Sequence, residues 1–306
     1  MNQKTVEKIF SKHNLGQVNS IEKIEIGFTN EVYSVNNEFI FKVCKAESNE
    51  DNFQREKLFY DFFKGDIPVP EVTVYDDSKQ VYERVFMVYP KIEGDNLYAK
   101  WHLMDNKERR DVVRQLCEIL KVINLKPYEN KAKEFGLNLP ESWCDVVCSR
   151  IQEHLGKVRE GKLLPLDFIE KVGGFVEENQ KALSEQKIAL VYWDIHFDNV
   201  LVKGSEVVGI LDFERTELAS IDFVLDVVKR MVDYPKKYMA EEYEKFAKVE
   251  DYAHLMDWFK EFYPGLFSFK HLKERLALYS IEHDLKTLLD WHNSGETQET
   301  IEKVMT

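Results

Sequence analysis

The segment Val191–Val202, VYWDIHFDNVLV, decides how the whole chain is read. Two apolar runs, Ile188–Val191 and Val200–Val202, enclose Asp194, His196, Asp198 and Asn199. A tight hairpin between such runs would carry Asn-Gly, Asp-Gly or a similar glycine-containing tip. Two carboxylates, an imidazole and an amide point instead to chemistry held between buried strands. Asp212 follows 18 residues after Asp194, at the end of another apolar run, Val207–Leu211, and a hairpin would bring the two loops to one end. Asn199 and Asp212, with a free carboxylate at Asp194, suit Mg2+, which takes few protein ligands and keeps waters and phosphate oxygens. The competing reading is that Asp194 and Asn199 only cap turns, as Asx residues do.

The rest of the composition narrows the class. At 306 residues, 44% hydrophobic and 32% charged, the chain has the balance of a soluble globular protein with room for two domains. Its polar start, MNQKTVEKIFSKHN, does not read as a secretory signal, and no apolar run reaches the ~18 residues of a membrane span. Cys44, Cys117, Cys144 and Cys148 form no CxxC pair, so buried thiols and a reduced, cytoplasmic protein are expected. A net charge of −13, with no basic cluster free of acids, argues against nucleic acid as a partner and favours cationic or neutral ones.

Periodicity divides the chain. Ile21–Ile26, Glu31–Val35 and Phe39–Val43 alternate as strands, Asp51–Phe63 has helical spacing, and Ile67-Pro-Val-Pro70 ends it. Further strands are predicted around Glu71–Tyr75 and Val81–Tyr89. After Lys91–Asp95 come amphipathic helices over Lys107–Ile123, Leu166–Val176, Glu241–Phe259 and His271–Trp291. Only residues 188–213 look strand-like in this second part. The predicted fold class is α+β: a small antiparallel-sheet amino-terminal lobe, residues 1–90, and a larger helical lobe, residues 91–306.

Within the first lobe, Lys42 lies in an apolar strand and Glu56 on the helix that follows. A lysine there is usually an edge residue with a snorkelling stem, but a buried one needs an anionic partner. A Lys–Glu pair beside phosphates is a recurring device of phosphoryl transfer. The turn Ile26–Val32 places Gly27, Thr29 and Asn30 where they could donate hydrogen bonds to phosphate.

In this order the residues resemble a family. Strand–turn–strand, strand lysine, helix glutamate, a hinge at Phe86-Met-Val-Tyr-Pro90, then D-I-H-F-D-N-V-L-V and G-I-L-D-F-E-R are similar to the protein-kinase-like small-molecule phosphotransferases, the aminoglycoside phosphotransferases with their choline-kinase and homoserine-kinase relatives. The match to H-G-D-x-H-x-x-N-x-L and I-D-[FW] is the most specific part, and the likeness spans about residues 20–230. It implies a two-lobed protein-kinase-like fold and transfer of phosphate from ATP or GTP to a hydroxyl of a small cationic molecule, an aminoglycoside first. Asp194 then corresponds to the catalytic-loop aspartate, Asn199 and Asp212 to the Mg2+ ligands, and Lys42 and Glu56 to the nucleotide-positioning pair. The backbone around Val88 and Tyr89 would meet the nucleotide base. His196 would support the loop.

Two features depart from the family pattern. Tyr192-Trp193 replaces the usual His-Gly or His-Asn, so that the Tyr192 hydroxyl would substitute for a structural hydrogen bond, while Trp193 either lines the acceptor site or packs in the core. The usual G-D-P-x-x-D is blurred, leaving Asp222 as its nearest match. An acidic wall from Glu241, Glu242, Glu244, Asp251, Asp257, Glu261, Asp284 and Asp290 is expected to receive the acceptor. A monomer is expected. A metabolic kinase for choline, homoserine or a sugar, and a non-catalytic binding protein of pseudokinase type, are the alternatives.

Overall fold

The computed structural model describes residues 3–24, 30–237 and 239–306. Helix α1 (Gln3–Lys12) precedes strands β1 (Ile21–Ile24), β2 (Asn30–Val35) and β3 (Phe39–Cys44), followed by helix α2 (Glu50–Phe63) and strands β4 (Val74–Asp76) and β5 (Phe86–Pro90). These strands form one antiparallel sheet in the order β1-β2-β3-β5-β4. Side chains alternate across a strand. In β3 this sends Phe41 and Val43 into a cluster with Val6, Ile9 and Phe10 of α1. Ile40 and Cys44 face the other way, into the cluster that holds Phe53, Phe59, Tyr60 and Phe63 of α2. Lys42 shares their parity and so points at α2.

The strand expected over Val81–Tyr89 begins only at Phe86. Asp76 first accepts from the Ser78 backbone N–H at 2.9 Å, and Lys79 takes a left-handed φ of 54°, so the chain turns rather than pairs.

Short strand β6 (Asp95–Asn96) leads into helices α3 (Leu97–Trp101), α4 (Asn106–Leu125), α5 (Trp143–Glu160) and α6 (Leu166–Asn179). Helix α4 starts at a capping box, with Asp105 accepting from Glu108 N–H and Glu108 accepting from Asp105 N–H. Gly94 lets the connection lie against the next strands: a Cβ there would stand 2.7 Å from Val208 Cγ2.

Strands β7 (Ile188–Val191), β8 (Val200–Lys203), β9 (Glu206–Ile210) and β10 (Glu217–Ser220) follow, then helices α7 (Leu225–Asp233), α8 (Glu241–Glu244), α9 (Leu255–Phe262), α10 (Leu272–Trp291) and α11 (Ser294–Val304). The runs on either side of the opening segment do not pair with each other. Instead β7 pairs with β10, and β8 pairs with β6 and β9. Strand material therefore extends beyond residues 188–213. The predicted helix over Glu241–Phe259 is interrupted, because Asp251 is pulled out of it: its carbonyl accepts from Trp101 Nε1 at 2.9 Å and its carboxylate meets Arg109 at 2.8 Å.

Helix α10 is tied to the β7–β10 layer by a buried ion pair. Arg275, with no exposed surface, donates to both oxygens of the equally buried Asp222 at 2.6 and 2.8 Å and to the carbonyls of Ala182 and Glu185. Five of its donors in a fixed fork are thus largely satisfied, which a buried guanidinium requires. The architecture is the expected one, an antiparallel sheet at the amino-terminal end and a mainly helical carboxy-terminal part. No helix among the described residues is long and apolar enough to cross a membrane.

Candidate active site

Helix α2 buries Phe53, Glu56, Tyr60 and Phe63 on one face. A glutamate on such a stripe must find a counter-charge, and β3 supplies it. Lys42 Nζ stands 2.7 Å from each oxygen of Glu56, with side-chain exposures of 9% and 0%. The same ammonium lies 3.8 Å from Asp212 Oδ1. Burial alone would depress the Lys42 ammonium's pKa, but Asp212 and Glu56 outweigh it and hold the proton firmly. For Glu56, burial pushes the carboxyl upward and Lys42 pulls it back. Lys42 is thus an interior-strand residue with a specific partner, not a snorkelling edge lysine.

The β8–β9 hairpin places the rest. Val200 pairs with Ile210, and Leu211 N–H donates to Asn199 C=O at 2.9 Å, so Asn199 and Asp212 emerge side by side. Asn199 Nδ2 donates to the Asp194 carbonyl at 2.9 Å, which turns the amide oxygen away from that bond. Asp212 Oδ1 is buried without a hydrogen bond. An amide oxygen and an unsatisfied carboxylate oxygen are the donor types Mg2+ takes, so the pair fits that ion.

The structure adds Glu214, whose carboxylate lies within 4.8 Å of those of Asp212 and Glu56. Burial, followed by the Asp212 charge, raises its pKa to about 7. Glu56 is committed to Lys42 and Tyr60, which leaves Glu214 as the carboxylate able to join a cation at Asp212. In sequence it is only the third residue of D-F-E and reads as surface charge.

Asp194 is partly buried and meets His196 Nε2 at 3.1 Å. Burial pushes the carboxyl up, but His196, with Arg215 and His283 behind it, more than compensates and the net shift is downward; His196 is raised in turn by Asp194 and Asp198 against its own burial. His196 therefore contacts the candidate reactive carboxylate directly. The Tyr192 hydroxyl makes the structural hydrogen bond expected of it, donating to Leu211 C=O at 2.6 Å. Trp193, partly buried, packs between Phe223, 5.9 Å between ring centroids, and His283, 5.3 Å, against the core.

Other expected residues fall differently. Gly27 and Thr29 lie outside the described residues, whereas Asn30 begins β2 opposite Cys44. Of the expected hinge residues, Val88 is fully buried in mid-sheet, and its carbonyl accepts from Thr73 N–H at 2.8 Å. Tyr89 is buried beside the Lys42–Glu56–Asp212 charges, which is where a lining residue would stand. The acidic wall is also partly neutralised, since Asp251 faces Arg109, Glu261 faces Arg110 and Asp284 faces Arg230.

Residues 20–258 match the phosphotransferase enzyme family. The chain belongs to that family. Solved structures agree on the fold at low identity. APH(2")-IIia in complex with GDP and kanamycin superposes with a TM-score of 0.70 at 16% identity, covering 99% of this chain and 97% of that one. ADP-bound aminoglycoside phosphotransferase APH(2'')-Ib gives 0.72 at 14%, covering 100% and 97%. A thermostable APH(4)-Ia mutant with ADP and hygromycin B gives 0.70 at 13%, covering 98% of each chain. This phosphotransferase thus shares the kinase-like aminoglycoside phosphotransferase fold over its full length.

Proposed function

We propose that this phosphotransferase moves the γ-phosphate of ATP or GTP to a hydroxyl of a small cationic molecule, an aminoglycoside first, which would make it an antibiotic-resistance enzyme of the cytoplasm. The observation that carries the reading is the convergence of the bonded Lys42–Glu56 pair, Asp212 and the Asp194–Asn199 loop on one site. Residues 1–90 would hold the nucleotide, with Lys42 on the phosphates, Gly27, Thr29 and Asn30 over them, and Tyr89 with the backbone beyond Pro90 at the base. Residues 91–306 would carry the catalytic loop and the acceptor. Asn199 and Asp212, with Glu214 in reach, would hold Mg2+, whose charge stabilises the phosphate oxygens. Asp194, kept ionised by His196, orients the acceptor hydroxyl and takes its proton. Most of the catalysis is then positioning and fixed charge.

Support for a cationic acceptor comes from the −13 net charge and from the aminoglycosides bound by proteins of the same fold. The arginine partners of Asp251, Glu261 and Asp284 favour a second reading, a less highly charged metabolic alcohol. Turnover of ATP and GTP in Mg2+ should be measured with kanamycin, gentamicin, hygromycin B, choline and homoserine, and binding followed at two ionic strengths. Aminoglycoside-stimulated turnover that weakens with salt supports the first reading. Turnover of choline or homoserine with no aminoglycoside binding replaces it with the second.

A further inference from the structure

Asp212 occupies a backbone conformation that few side chains tolerate, with φ of 61°. A non-glycine residue in the left-handed region is held there by its surroundings. Here the surroundings grip one chemical unit from both sides. The peptide group joining Leu211 to Asp212 offers its carbonyl to the Tyr192 hydroxyl at 2.6 Å and its N–H to the Tyr60 hydroxyl at 3.0 Å. Both tyrosines are all but fully buried, and their rings flank Phe213, at 4.5 Å for Tyr192 and 5.8 Å for Tyr60.

We propose that Tyr60 and Tyr192 are positioning residues that clamp the Leu211–Asp212 peptide plane and so fix the Asp212 carboxylate beside Lys42 and Asn199. The proposal rests on the reading of Asp212 given above. Its force lies in the polarity of the bonds. Tyr60 has one hydroxyl proton, and that proton goes to Glu56 Oε1 at 2.6 Å. Toward Asp212 it can present only lone pairs, which accept an N–H and repel a carbonyl. Rotating the peptide plane would therefore break both tyrosine bonds in one motion and set the Leu211 oxygen toward Tyr60. Glu56 accepts that proton as a carboxylate because Lys42 faces both its oxygens. The orientation of Asp212 is thereby linked to the Lys42–Glu56 pair through a single hydroxyl. A tyrosine on the apolar stripe of α2 otherwise needs no hydroxyl to fill the core.

The test uses the full chain with Tyr60→Phe, Tyr192→Phe, both together, and Tyr98→Phe as a control, a buried tyrosine whose hydroxyl meets the Phe197 backbone and not the Leu211–Asp212 peptide. Hydrolysis of ATP and GTP with water as acceptor avoids any dependence on acceptor identity. Each clamp variant should lose roughly tenfold or more in kcat, the scale of one hydrogen bond to a reacting group, with a smaller change in nucleotide KM. Half-activating Mg2+ should rise severalfold. The double variant should be little worse than the worse single one, since both bonds hold the same plane.

Hydrogen exchange provides a readout independent of turnover: the peptide containing Asp212 should exchange faster in Tyr60→Phe while the remaining sheets keep their protection. Wild-type kcat, Mg2+ dependence and exchange in the clamp variants would overturn the proposal. Should Tyr60→Phe fail to fold, Tyr192→Phe decides it by the same readouts. Asp212→Ala measured alongside separates the two ideas. If it is inactive while the tyrosine variants behave as wild type, only the clamp is wrong; if it is fully active, the reading of the site fails first.

Discussion

The Lys42–Glu56 pair gives the sharpest energetic prediction. Both oxygens of Glu56 lie 2.7 Å from Lys42 Nζ, and the glutamate side chain has no exposure to water. Lys42→Met keeps the length and packing of the stem but leaves a carboxylate buried beside Asp212. Removing one partner of such a pair costs about 3–5 kcal/mol, because the other is left uncompensated. In a chain of this size that lowers the melting temperature by roughly 5–8 °C. Glu56→Gln should cost a similar amount for the mirror reason, partly relieved as the ammonium turns to Asp212. The double variant removes both charges, so its loss should fall short of the sum by about 2 kcal/mol or more. The pH dependence has a definite sign. Burial already raises the Glu56 carboxyl, and without Lys42 the folded state holds that proton more tightly than the unfolded chain does. The Lys42→Met penalty should therefore be largest above the raised pKa and shrink as pH falls through it. Denaturant and thermal midpoints of the four proteins at acid and mildly alkaline pH measure all of this. Single losses under ~1 kcal/mol that add within ~0.5 kcal/mol would refute the reasoning.

Further expectations concern the reaction and the thiols. Asp194→Ala should abolish transfer with nucleotide affinity nearly unchanged, whereas Asp212→Ala should also weaken Mg2+–nucleotide binding; calorimetry beside turnover distinguishes them. His196→Gln removes the group that holds the Asp194 carboxyl down, so the acidic limb of the pH–rate profile should move to higher pH, and an unmoved limb would count against their coupling. Cys117 and Cys148, both buried and both pushed up to about 12 chiefly by that burial, should resist alkylation until the chain unfolds. Mass spectrometry after timed labelling reads this directly.

Much of the site was legible because its members sit in patterns that local chemistry explains. A lysine inside the alternating run Phe39–Val43 called for an anionic partner, and Glu56 on the following helix was the one the family resemblance supplied, while the Asp194–Asn199 loop followed from the apolar runs around it. Tyr60 was hidden because an aromatic residue on an apolar stripe looks like core whether or not its hydroxyl is used. Glu214 was hidden because its burial comes from contacts that only the folded chain makes. The extent of strand in the second part was underestimated for a related reason. Glu217–Ser220 has little β-branched character and becomes a strand only because β7 offers a partner edge. The break within 241–259 is likewise tertiary, imposed by Trp101 and Arg109 on Asp251.

The Arg275–Asp222 pair bears on how this protein can be shortened. The match to the family stops at residue 258, which invites trimming the chain there for expression or fusion. Such a fragment would lose the only guanidinium bonded to both oxygens of Asp222 among the described residues, leaving a carboxylate of zero exposure with Ser220 as its remaining neighbour. It would also strip the layer that covers Phe223 and Trp143, both in ring contact with Tyr279. The helix that begins at Leu272 therefore braces the β7–β10 layer from behind, and a cut between residue 258 and Leu272 is expected to loosen that layer.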